Sequence, residues 1–153
     1  MSYANTAGDY FKNGGKLDAS KSLANAIDIG ASSGTAGEAY CVKPCYVRRI
    51  GFLLTEELAG GTSVAPTVVF KKNPTPLSSS GASTLGTLTI PDATAVGKLV
   101  YKDITPVAFT VGDALEVSWT VGTGTPTGIG HAVWIVDEDP ETAANCSDMI
   151  ASA

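Results

Sequence analysis

Charge is scarce in this chain. Asp, Glu, Lys and Arg make up 16% of its 153 residues, against about 25% in an ordinary globular domain. The surface must therefore be covered largely by Ser, Thr, Gly, Ala and Asn, which suits contact with further copies or with a larger assembly. Basic residues are scarcer still, and the formal net charge is −5. Nucleic acid held without sequence preference needs clustered Lys and Arg, so that class of partner is excluded. The basic pairs Arg48–Arg49 and Lys71–Lys72 do not change this expectation. Neighbours on a strand point to opposite faces, so neither pair should form a patch.

Histidine occurs once, as His131. A single imidazole excludes metal sites built from several histidines. A Ser-His-Asp triad also lacks its nucleophile elbow here, and His131 reads as a strand residue after a glycine-rich loop. The three cysteines, Cys41, Cys45 and Cys146, are an odd number and are expected to be reduced thiols. With His131 they could in number hold zinc. However, Cys41 and Cys45 are loosely spaced around Pro44, and buried or idle thiols are the plainer reading. No run approaches the ~18 apolar residues of a membrane-crossing helix. The first residues lack the basic and apolar regions of a signal peptide, so synthesis in a host cytoplasm is expected.

Other clusters also favour structural readings. Asp137, Glu138, Asp139 and Glu141 could attract calcium, but they lack EF-hand spacing and read as a solvated strand end. Trp119 and Trp134, with Tyr40, Tyr46 and Tyr101, could stack a sugar. Trp119 shares a strand face with Leu115 and Val117, which points to core instead. The glycine-rich stretch 122–130 has no lysine and no following helix, so it is not a phosphate loop. No catalytic, cofactor-binding or metal-binding residue is assigned, and the chain is expected not to be an enzyme.

What is abundant is the material of β-sheets. Hydrophobic residues make up 44%, arranged in short apolar or alternating runs between turn clusters. Strands are expected around Leu23–Ile29, over 39–42 and 45–55 with a break at Pro44, and over 66–72, 84–90, 98–104, 115–121 (after a turn at 111–113) and 131–137. Residues 31–37 read as a small-residue loop. The cleanest alternation sets Leu115, Val117, Trp119 and Val121 against Glu116, Ser118 and Thr120. Ala132 to Val136 are apolar on both faces, so this last strand should be central or covered. About eight strands at this spacing, without a long helical period, give an all-β antiparallel sandwich of jelly-roll type. The expected organisation is a flexible N-terminal arm over 1–16, the sandwich over 17–139, and a short helix or tail over 140–153. The arm carries Tyr3, Tyr10 and Phe11, which are candidates for contact with a partner.

A resemblance sharpens this reading. The segments VRRIGFLLT (47–55), TVVFK (67–71), GTLTIP (86–91), GKLVYK (97–102) and FTVGDALEVS (109–118) follow one another in this order. Over residues 45–136 the chain resembles the small jelly-roll decoration, or cement, proteins of tailed-bacteriophage heads. The resemblance implies a structural virion protein that binds the outside of a capsid and stabilises it. Its partner would be the major capsid protein, and the protein itself would be a homotrimer. The arm and the last strand would make the contacts. A carbohydrate-binding or adhesin module is the alternative with the same architecture.

Overall fold

The computed structural model describes residues 11–13, 26–30, 33–60, 64–74, 81–124 and 127–137. They contain nine strands: β1 (Phe11–Asn13), β2 (Ile27–Asp28), β3 (Gly34–Cys41), β4 (Cys45–Leu54), β5 (Thr67–Asn73), β6 (Ser83–Thr89), β7 (Leu99–Phe109), β8 (Ala114–Thr120) and β9 (Ile129–Asp137). One sheet has the order β1-β3-β8-β5-β6, and the other β2-β9-β4-β7. Every pairing is antiparallel. β5 pairs with β6, β4 with β7, β3 with β8 and β2 with β9, so the strands nest outward from one hairpin. Consecutive strands β2 to β5 alternate between the sheets, which is the winding of a jelly roll. β1 is added outside β3 at the edge of the five-stranded sheet.

The core lies between the sheets because each strand alternates. Val68 and Phe70 of β5, Leu115 and Val117 of β8, and Ile50, Phe52 and Leu54 of β4 are all buried. Each such side chain contributes about 1.5–3 kcal/mol on leaving water. Leu88 and Ile90 also face inward, while Thr87 and Thr89 are exposed. Trp119 and Trp134 are partly buried and packed against this core.

Local geometry departs from the expected strand limits in four places. Phe11–Asn13, within the segment read as an arm, pairs with Ala39–Cys41 as β1. The stretch 31–37, read as a loop, is strand from Gly34 onward. Its small residues pair with Val117–Trp119, and the register shifts between Ala36 and Glu38, where Gly37 is the extra residue. β7 continues past Ile104 to Phe109 through Pro106. Proline is tolerated there because β7 is an edge strand. The ladder also breaks there, since Val47 opposes Val107 but Arg49 opposes Asp103. Finally, β9 begins two residues early, at Ile129, where β2 pairs with it. β9 is an inner strand by sheet order, as its two apolar faces lead one to expect.

Candidate binding surface

Among the described residues, the outer face of the four-stranded sheet brings several apolar side chains side by side outside the core. Ile50, Phe52 and Leu54 face inward, so Gly51 and Leu53 face outward. Register then fixes the rows. Gly51 lies between Val133 of β9 and Tyr101 of β7, and Leu53 lies between His131 and Leu99. Leu53, Leu99 and Tyr101 are 36%, 46% and 42% exposed, while Val133 and Ile135 are half-buried. A Cβ at Gly51 would stand 3.0 Å from both Leu99 Cδ1 and Val133 Cγ2. The two side chains thus close over the glycine, making a smooth floor where any larger residue would push them apart. No other element among the described residues covers this face.

One end of the face is bounded by ion-paired arginines. Val47 and Ile50 are both fully buried although three residues apart. The register shift between Val47 and Arg49 resolves this parity by adding a residue. Arg48 and Arg49 therefore both lie on the outer side, correcting the expectation that they point to opposite faces. Each meets an aspartate from a flanking strand. Arg48 Nε lies 2.5 Å from Asp137 Oδ2. Arg49 donates to Asp103 through Nε at 2.5 Å and Nη2 at 2.9 Å. The Arg49 guanidinium also lies over the Tyr101 ring, 4.4 Å from its centroid. Its hydrogen bonds hold the Asp103 carboxyl below the usual range. The result is a bounded apolar surface whose charges are mutually neutralised.

A polar cluster occupies the opposite outer face, on the five-stranded sheet. Glu38 of β3 stands opposite Glu116 of β8. Tyr40 donates its hydroxyl to Glu38 Oε2 at 2.5 Å, and Asn73 Nδ2 donates to Glu116 Oε1 at 2.6 Å. The hydrogen bond to Glu38, with burial, pushes the Tyr40 hydroxyl up to about 12. Burial, followed by the neighbouring Glu38, pushes the Glu116 carboxyl upward. The two carboxyls are hydrogen-bond neighbours, closer than the ~5 Å that a retaining glycosidase leaves for its sugar. Glu38 is only 8% exposed. Tyr40 and Asn73 each occupy one oxygen of the pair.

The sequence's other candidates are dispersed. Tyr3 and Tyr10 lie outside the described residues. Phe11 opens β1 opposite Cys41. His131 opposes Leu53, whereas Cys45 lies eight positions back along β4. That is about 26 Å along a strand, so the two cannot share one ion. Among the described residues no group of three or more His, Cys, Asp or Glu side chains could hold a metal ion. Of the acidic cluster, Asp137 is committed to Arg48, and residues 138–141 lie outside the described residues. Lys71 opposes Glu116 on the outer face, while Lys72 turns inward to Asp113, 3.2 Å away. Here the opposite-face expectation agrees with the geometry.

Leu53, Leu99 and Tyr101 were not separable from core by pattern. Their signal was that 99–101 and 50–54 are apolar at both alternating positions, the same signal read in the last strand. No family model, curated protein or solved structure matches this chain.

Proposed function

We propose that the chain is a structural virion protein that binds the outside of a phage capsid and stabilises it, docking through the outer face of the four-stranded sheet. The observation that carries this reading is the exposed apolar floor of Leu53, Leu99, Tyr101, Val133 and Ile135 around Gly51. Contiguous apolar surface rimmed by polar residues marks an interaction site. Its charges are already paired, so a protein partner would not have to strip water from a lone ion. The jelly-roll strand order and the low charge suit the same role. The partner is the major capsid protein, and the protein acts as a homotrimer, which also shields strand edges.

A carbohydrate module needs exposed, coplanar rings. On this face Tyr101 is the exposed aromatic, and its ring is stacked against Arg49. Trp119 and Trp134 are packed against the core. This geometry favours a protein surface over a sugar.

The test is cosedimentation of the purified chain with phage heads built from the major capsid protein of the same genome, alongside solution mass by light scattering. Saturable binding at a fixed number of trimers per head supports the proposal. Failure to bind heads at micromolar concentration contradicts it, and a Tyr101-dependent glycan-array signal would replace it with the carbohydrate reading.

A further inference from the structure

The crossover between the sheets carries a chemistry that capsid binding does not use. Cys41 is the last residue of β3 and Cys45 the first of β4, joined by Val42, Lys43 and Pro44. The chain reverses there from one sheet to the other. Both side chains point into the sandwich, at 1% and 2% exposure. The two thiols are hydrogen-bond neighbours, and Cys41 Sγ also donates to the Lys43 carbonyl at 3.0 Å. Both strand ends are fixed. The Cys41 amide donates to Asp113 O at 2.8 Å, the Cys41 carbonyl accepts from Gly112, and Cys45 pairs with Phe109.

We propose that Cys41 and Cys45 are an oxidisable dithiol that closes to an intramolecular disulfide across the β3–β4 crossover. The oxidant is a small-molecule disulfide. The Cys41 thiolate attacks one sulfur of it, releasing the first small thiolate and leaving a mixed disulfide. The Cys45 thiolate then attacks the Cys41 sulfur and releases the second. The protons of the two cysteines end on the two small thiols, so one disulfide is reduced as one forms.

The environment distinguishes the two sulfurs. Burial pushes the Cys45 thiol up to about 12. Burial, with Asp113, also raises Cys41, but a backbone hydrogen bond from Lys43, the neighbouring Cys45 and the Lys72 ammonium act against it. Cys41 is therefore the first attacker. Suppressed thiolates make the reaction slow in the closed sandwich, so it proceeds through opening of this end of the fold. The disulfide would add a covalent tie between the two sheets beside the crossover backbone.

Mass spectrometry tests this directly, because Lys43 precedes Pro44 and resists trypsin. Residues 22–48 thus form one tryptic peptide holding both thiols, with Cys146 elsewhere. The folded full-length chain is incubated with oxidised glutathione, unfolded, alkylated and digested. The expected product is a peptide about 2 Da lighter than the dithiol and closed to alkylation, reopened by dithiothreitol. In Cys45→Ser, Cys41 should instead carry one glutathione. If both cysteines of the folded wild-type chain stay fully alkylatable, while the urea-unfolded chain forms the linked peptide, the proposal is overturned. Glutathione confined to Cys146 would overturn it equally.

Discussion

Glu38 and Glu116 stand directly opposite each other on β3 and β8, two carboxyls within hydrogen-bond reach. Burial and Glu38 raise the Glu116 carboxyl above its ordinary value of 4.5. A raised carboxyl binds its proton more tightly in the folded chain than in the unfolded one. Stability is then highest with the proton on and declines as pH rises from 4.5 through the folded value. Asp113 has the opposite sign. Burial alone would raise it, but the Thr110 amide and Lys72 outweigh burial and hold it below its ordinary 3.8. Its contribution is present above 3.8 and lost as pH falls through the lower folded value. The thermal midpoint should therefore peak in mild acid. Glu116→Gln should raise the midpoint at pH 7 and flatten its decline above pH 4.5, measured by calorimetry in a pH series. An unchanged profile would show that the pair is not coupled.

Lys72 closes one end of the sandwich. Its ammonium donates to Ala108 O at 2.8 Å, lies 3.2 Å from Asp113 and sits 5.4 Å from the Phe109 ring centroid. The Asp113 side chain is only 8% exposed. Lys72→Met should cost about 2 kcal/mol in urea denaturation, because it strands a buried carboxylate. Adding Asp113→Asn should return part of that loss. A double variant that costs the sum of Lys72→Met and Asp113→Asn measured alone would show that the pair carries no coupling.

Trp119 spreads its ring across β3. A Cβ at Gly34 would stand 3.0 Å from two atoms of the indole. Trp119→Ala should destabilise the fold by about 3 kcal/mol, at the low end for a buried aromatic because the ring is partly exposed. Gly34→Val should also destabilise, by displacing the ring, and should red-shift the tryptophan emission. Near-neutral results for both would place the ring on the surface.

The sequence made the architecture legible where alternation was clean. Leu115, Val117 and Trp119 face the core side, Leu88 in β6 and Ile90 just after it do so too, and Pro44 marks the change of sheet. It hid what depends on pairing. Gly34, Ala36 and Gly37 are poor strand formers, and the segment becomes strand through its pairing with β8. The strand expected over 98–104 runs on through Pro106 to Phe109, which an edge position permits. Arg48 and Arg49 obeyed a period of two in the sequence, but an added residue placed both on one face. The binding surface was the least visible feature. Leu99 and Tyr101 look like core until register places them around a glycine on the solvent side.

The most direct test of the docking account is cosedimentation of three variants with the same phage heads. Leu99→Glu and Tyr101→Glu lie on an edge strand, are more than 40% exposed, and should leave the circular dichroism and thermal midpoint nearly unchanged. Val96→Glu, at a loop position 60% exposed on the end of the sandwich, is the control. The account predicts that the first two lose binding at least tenfold, equivalent to about 1.4 kcal/mol or more, while Val96→Glu binds as the wild-type chain does. Wild-type binding by Leu99→Glu and Tyr101→Glu would contradict it and move the contact to another surface.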